Sequence, residues 1–550
     1  MKKYIIAASI ENDVHVAGVY RFLKVAEQEG YKVEFLGPAT SIDRLVDTVR
    51  LKKPDIVGVS YRLTPEALKT ILNELRDNIR KYELDNIRWI FGGTEPNCLV
   101  ARESGIFEEI FDGTFGDEYT ISYLRGKKAV YSKKEYGKDV VERIEKSYPY
   151  PIIRHHFGLP SYDDTLEGVK RIAEEKVLDV ISIAPDQNTQ EHFFDKKYNT
   201  ALDGAGGVPI RSEEEFKKLY DESRRGNYPL LRCYSGTNDV FKMAKILKDT
   251  INNAWAAIPL CWYNVLDGRG PRQVEESIRE NQKLMKWHAD RNIPVEVNEA
   301  HHWGLRDAHD AIYVAASYLA AYNAKKMGVK NYIAQFMFNV PPTTSPKMDL
   351  AKMLASIELV ESLQDDNFRV FRQARAGLAS MPQDLFEAKG QLASSAYLSM
   401  AIKPHIYHVV GFCEAHHAAT PDDIIESVKI VKAVIKNTLS GMFDFTQDLD
   451  VLKRKEELIN DTKVILNGIR ELNTLCSDPL SDPHTLSLAI KLGIMDAPHL
   501  KGNKSASGAL QTKVINGACY AFDYENNRVI EEEERVFNII QNYQKMIIVA

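Results

Sequence analysis

Apolar and polar positions alternate in blocks along the first part of the chain. Residues 3–9 (KYIIAAS) are an apolar run ending in a polar loop, and 18–29 then place Val19, Phe22, Leu23 and Ala26 at helical spacing. The pattern repeats with KVEFLG, the helical SIDRLVDTVRLKK, the apolar DIVGVS, a helical stretch over 65–82, and RWIFGG. Apolar runs alternating with helices of this length predict a parallel, doubly wound α/β sheet over residues 1–130, and such sheets take ligands at the carboxyl ends of their strands. The loops after the first, third and fourth strands are where chemistry is expected.

A charged stretch over 125–139 and the following YPYPIIRHHFGLP interrupt the alternation, so 131–160 reads as a linker. Beyond it six stretches look like a strand followed by a helix: VLDVISIAP, YPLLRCYSG, AWAAIPLCWYN, IPVEVNEAHHWG, VKNYIAQFMFN and HIYHVVGFCEAHH. That succession predicts a (β/α)8 barrel over 161–450, in which the polar residues closing each strand face one mouth. Residues 451–550 form an extension that reads as helices over 450–475 and 484–495, a small β region around 510–530 and a closing helix.

Composition narrows the class. Hydrophobic residues make up 44% and charged residues 27% of the 550, the balance of a globular chain with more than one core. A net charge of −6, with Lys and Arg scattered among acids, offers no basic field for a phosphate backbone, so nucleic acid is not an expected partner. The six cysteines include no CxxC pair and read as buried thiols of a reducing compartment. No apolar run is long enough for a signal peptide or a membrane span, and a cytoplasmic protein is expected.

The first loop carries Asp13-Val14-His15-Val16-Ala17-Gly18, a D-x-H-x-x-G motif. A histidine is a good nitrogen donor to a transition metal, and a carboxylate accepting its other N–H fixes the tautomer and raises its basicity. Gly18 at the loop-to-helix corner lets the backbone approach something bulky. Ser60 closes the third strand with a hydroxyl, and Gly92-Gly93 close the fourth with a wall free of side chains. Together these residues resemble the B12-binding domain of cobalamin-dependent mutases and methyltransferases, of flavodoxin-like fold, whose signature is D-x-H-x-x-G, then S-x-L, then G-G. The resemblance covers about residues 1–130. It implies cobalamin as cofactor, with His15 as lower ligand to the cobalt and Asp13, Gly18, Ser60, Gly92 and Gly93 around the rest of the molecule. One position departs: the S-x-L element reads Ser60-Tyr61-Arg62. The competing reading is a flavodoxin-like domain with a surface histidine.

Weaker motifs in the second part resemble the large catalytic subunit of glutamate mutase. They are AIKLGIMDAP (489–498) followed by Ser507-Gly508, PLLRCYSGTND (229–239), WYNV (262–265), Gly-Gly-Val at 206–208 and VKNYI (329–333). The resemblance implies an adenosylcobalamin-dependent isomerase whose barrel mouth caps the cofactor, where an adenosyl radical abstracts hydrogen from the substrate in a dry cavity. It also implies a homodimer, by analogy. That family grips two substrate carboxylates with three arginines, and the matching positions here hold Gln190, Tyr234 and Glu299. The family's carboxylate base is missing from QFMFN (335–339). Glutamate is therefore not the expected substrate; Glu299 in place of an arginine points to an amino group, hence a basic or neutral amino acid.

Three His-His pairs stand out: His155-His156, His301-His302 and His416-His417. The last two follow Glu-Ala in near-identical contexts at the ends of predicted strands, so they are expected to converge on one mouth. Contact with substrate or cofactor, structural roles and a second metal all remain open for them. His301, His302, Glu299, His416, His417 and Tyr234 are the candidate catalytic residues, and Asp186, Gln190, Tyr263 and Asn264 the candidate substrate contacts, although Asp186, Asn188 and Tyr263-Asn264 could equally cap helices. Asp267-Gly268-Arg269-Gly270 lacks the lysine of a phosphate-binding loop and reads as a βα loop at the mouth. Three functions stay open: an adenosylcobalamin isomerase on a small amino-acid-like substrate, a methylcobalamin-using methyltransferase, and a corrinoid-binding protein without catalysis. No Cys/His cluster for a zinc-bound acceptor is visible in the sequence.

Overall fold

A computed structural model describes residues 3–112, 117–126, 136–234, 236 and 238–549. The chain forms two compact units, residues 1–135 and 136–550.

In the first unit, β1 (Tyr4–Ser9), β2 (Lys32–Phe35), β3 (Ile56–Tyr61), β4 (Arg88–Gly93) and β5 (Glu109–Phe111) make one sheet in the order β2-β1-β3-β4-β5. Every pairing is parallel. Central strands β1 and β3 are covered on both faces, which is why they read as continuous apolar runs: all of β3 is buried. The order runs outward in opposite directions from β1 and β3, and a crevice opens at that switch point.

The second unit holds eight parallel strands: β6 (Ile152–Phe157), β7 (Val180–Ile183), β8 (Leu230–Cys233), β9 (Ala256–Ile258), β10 (Val295–Val297), β11 (Asn331–Phe338), β12 (Arg369–Ala376) and β13 (Ile406–His408). Their order is β8-β7-β6-β13-β12-β11-β10-β9. Ala254, just before β9, donates its N–H to Leu231 O on β8 at 2.9 Å, which bridges the remaining seam of a nearly closed barrel.

Two of these strands escape the hydrophobic pattern. The stretch read as a linker contains the helix Val140–Ser147 and β6, and β12 has the sequence RVFRQARA. Both carry polar residues into the barrel. Arg154 on β6 reaches Glu296 on β10, on the far side of the barrel, at 3.4 Å, and Gln373 on β12 donates to Gln335 on β11 at 3.2 Å. A strand whose buried face is charged breaks the alternation that the sequence reading depends on.

The extension follows expectation. Helices Leu449–Glu471 and Pro483–Leu492 are followed by an antiparallel sheet of β14 (Thr512–Ile515), β15 (Ala518–Asp523) and β16 (Arg528–Val529), and by the helix Glu532–Val549. The first of these packs on Asp310–Lys326 and Pro346–Glu361, outer helices of the barrel.

Candidate functional site

His15 lies in the loop between β1 and the helix Ala17–Gln28. Its Nδ1 is 2.7 Å from Oδ1 of Asp13, and the same oxygen accepts its backbone N–H at 2.9 Å. The other oxygen of Asp13 accepts the backbone N–H of Arg62 at 2.7 Å. Asp13 is fully buried while the imidazole is 51% exposed. A carboxylate at Nδ1 places the proton there and leaves Nε2 with its lone pair for a metal. The departure at Arg62 does no harm to this arrangement, because the group used is main chain.

Beside this loop, at the carboxyl ends of β1, β3 and β4, a cavity of about 480 Å³ is lined by Gly18, Phe22, Ser60, Ile90, Gly92 and Gly93, among others. A Cβ on Gly18 would meet nothing within 4 Å, so the space above it is open, whereas on Gly93 it would come within 2.7 Å of Tyr61 O. One glycine thus leaves room for a ligand and the other is demanded by the sheet. A tautomer-fixed imidazole beside a deep groove with an apolar wall, a hydroxyl and bare backbone fits a corrinoid with a long nucleotide tail. Arg21, Thr94, Phe111 and Tyr119 also line the groove, and the sequence reading misses them. The rule that ligands sit at the carboxyl ends of the strands would have found Thr94, directly after β4.

At the barrel mouth a second cavity, of about 530 Å³, collects side chains from strand ends and the loops that follow. Tyr234, Tyr263, His301 and His302 line it, as do His155, His156 and His408. Tyr234 Oη lies 3.2 Å from Nε2 of His156, which in turn is 3.1 Å from Arg154. Gln335 bonds Nδ1 of His301 at 3.0 Å. Burial lowers the pKa of His155 to about 4 and, with the nearby Arg375 charge, that of His301 to about 3. Burial and neighbouring cations hold His156, His302 and His408 well below the usual range too. All five imidazoles are neutral at pH 7. Nε2 of His155 and of His302 are buried without a hydrogen-bond partner among the described residues.

Arginines enter the same cavity: Arg269, Arg306 and Arg375. Arg375, at the end of β12, is 8% exposed, and its Nε has no partner among the described residues. Beneath them Arg154 and Arg232 share one carboxylate, Glu296, at 3.4 and 3.2 Å, and Trp255 Nε1 donates to it at 2.7 Å.

A family model described as a B12 binding domain matches residues 4–118. The N-terminal unit is a B12-binding domain. Cobalamin is accordingly a cofactor of this protein. No curated protein matches the chain. Among solved structures, a cobalamin-binding protein from Desulfitobacterium hafniense is 25% identical over 23% of this chain and 58% of its own, with a TM-score of 0.21, so the chain spans well under two thirds of that protein. The cobalamin-dependent S-adenosylmethionine radical enzyme OxsB is 12% identical, over 99% of this chain and 79% of its own, with a TM-score of 0.21. An enzyme targeting pectin rhamnogalacturonan II is 9% identical over 89% of this chain and 56% of its own, with a TM-score of 0.30.

Of the expected cofactor contacts, Gly18, Ser60, Gly92 and Gly93 line the first cavity, and Asp13 and His15 sit in the loop beside it. The barrel gathers fewer of its expected residues. Glu299 is buried and committed to structure: its carboxylate accepts the N–H groups of Leu260 and Cys261 at 3.0 Å and Trp303 Nε1 at 2.9 Å. It therefore cannot serve as the anchor for a substrate amino group. Asp186 is buried, caps the helix Gln187–His192 and pairs with Arg211 at 2.6 Å. Gln190 donates to Pro185 O at 2.9 Å, and Asn188 and Asn264 tie their own loops through backbone contacts.

His416 and His417 do not reach the cavity. They sit on the exposed loop after β13, with ring nitrogens 2.9 Å apart and His417 Nε2 3.0 Å from Asp423. The pair that joins His301-His302 is His155-His156, from β6. Cys413, His417 and Asp423 each place one potential ligand atom within 4.8 Å of the others, a Cys/His grouping that the sequence spacing did not reveal. Asp423 Oδ2 already accepts from Thr420 N, Thr420 Oγ1 and His417.

Proposed function

We propose that this protein is an adenosylcobalamin-dependent isomerase that rearranges a small organic substrate by a radical route. His15 serves as lower ligand to cobalt through Nε2, with Asp13 fixing its tautomer, while Gly18, Ser60, Gly92 and Gly93 line the groove for the tail. The observation that supports an isomerase best is the barrel mouth: a cavity walled by neutral imidazoles, two tyrosines and arginines. When bound, adenosylcobalamin supplies the radical through its weak cobalt–carbon bond. The chain's own residues then need to bind, orient and exclude water. Tyr234, held by His156, and Tyr263, packed edge-on against His302, are the hydroxyl groups in position to orient substrate. Neutral imidazoles at His155, His301 and His302 offer hydrogen bonds without adding charge.

The test is reconstitution with adenosylcobalamin and exposure to a panel of small acids and amino acids. A substrate-dependent change in the visible spectrum supports the reading; no change with any member of the panel, from protein that demonstrably holds the cofactor, overturns it. A second reading, methyl transfer from methylcobalamin, is favoured by the Cys413-His417-Asp423 grouping, because a metal there could activate a thiol acceptor. Demethylation of bound methylcobalamin by a thiol would favour that reading.

A further inference from the structure

We infer that the barrel mouth binds a small dianion without an ammonium group, a dicarboxylate or a phosphorylated acid, with Arg375 as its anchor. This rests on the reading of the mouth as the substrate site. The cavity is faced by three arginines and a single carboxylate, Glu414, on the exposed loop after β13. Guanidinium groups stay charged at any physiological pH. The buried imidazoles around them are neutral and cannot balance or add to that charge. The residues lining the mouth therefore carry an excess of two positive charges, which the buried Asp267 beside Arg269 offsets only in part.

The three arginines are not equivalent. Arg269 has a partial counterion in Asp267 at 3.7 Å. Arg306 donates to His302 O at 2.9 Å and lies 4.2 Å from the ring centre of Trp262. Arg375 is nine-tenths buried, and its Nε is unpartnered among the described residues. The layer beneath cannot compensate it, since Arg154 and Arg232 already outnumber Glu296.

An unpaired buried charge is strongly unfavourable, and a bound anion relieves it. The planar fork of arginine matches carboxylate and phosphate oxygens in a bidentate fashion. An ammonium group would meet net repulsion here and would have only the rim residue Glu414 as a partner. The substrate charge thus runs opposite to what Glu299 implies in the sequence, because that carboxylate is spent on backbone N–H groups.

Calorimetric titration of the full-length, cobalamin-loaded protein tests this with succinate, inorganic phosphate, L-alanine and L-ornithine as probes. Succinate or phosphate is expected to bind, and which of them binds more tightly identifies the anionic group. Affinity should fall as salt rises, and the two amino acids should not bind measurably. R375M should weaken the dianion at least tenfold, and R375K should recover part of that loss, which separates lost recognition from a damaged barrel. Dianions that bind no better than alanine, or R375M protein that binds them as tightly as wild type, would overturn the inference. If the dianions bind through Arg375 but no compound alters the cobalamin spectrum, the isomerase reading fails and the anion site stands.

Discussion

One oxygen of Asp13 accepts both the ring N–H and the backbone N–H of His15, at 2.7 and 2.9 Å. The carboxylate thereby fixes the loop and the tautomer together. Replacing His15 by alanine should abolish the spectral signature of histidine ligation to cobalt. Asp13→Asn should leave the ligand in place yet weaken cobalamin binding by roughly 10–100-fold, the usual effect of losing a ligand's supporting carboxylate. Absorbance titration with hydroxocobalamin measures both, and unchanged affinity in the alanine variant would sink the assignment.

Gly18 and Gly93 should respond to substitution in opposite ways. Gly18 starts a helix with open space above it, so Gly18→Leu should fold normally, with up to about 1 kcal/mol gained from helix propensity, while filling the groove and excluding cobalamin. Gly93→Ala meets the backbone oxygen of Tyr61, so it should destabilise the first unit by about 1–3 kcal/mol. Urea midpoints beside cobalamin affinity distinguish a filled groove from a damaged sheet.

Glu296 is the carboxylate that holds the centre of the barrel together. Burial pushes its carboxyl up, but Arg232 and Arg154 outweigh this and leave its pKa below the ordinary value. Glu296→Gln strands two guanidinium groups in the interior, and a loss of about 3–5 kcal/mol of barrel stability is expected. Chemical denaturation followed by tryptophan fluorescence checks it; a loss under about 1 kcal/mol would contradict the pairing.

Acid should destabilise the barrel through its buried histidines. His155, His288 and His405 are lowered to about 4 and His301 to about 3 by burial, against 6.5 when unfolded. The unfolded chain therefore binds more protons between pH 6.5 and about 4. The stability these groups contribute is fully present above pH 6.5 and is lost as pH falls through that window, at up to about 1.4 kcal/mol per pH unit for each histidine. Urea midpoints at pH 7.5, 6 and 5 should fall steadily, and a flat profile would mean the imidazoles are protonated in the folded state.

Much of this protein is written in local pattern. The strand–helix alternation of the first unit, the D-x-H-x-x-G loop and the glycines closing β4 need only neighbours in the chain to be legible, because hydrophobic period and backbone geometry are local properties. The barrel was legible as a class but not in full. β6 and β12 stayed hidden because Arg154, His156, Gln373 and Arg375 face a polar interior, and a charged inward face looks like a loop to any reading based on burying apolar residues. The membership of the mouth was decided by tertiary structure alone. Two Glu-Ala-His-His segments look alike in sequence, yet the histidines of one line the cavity and those of the other lie on an exposed loop, while Glu299 turns away to satisfy backbone groups. Which side chains meet across a barrel depends on strand order and closure, and those are settled by contacts between residues far apart in the chain.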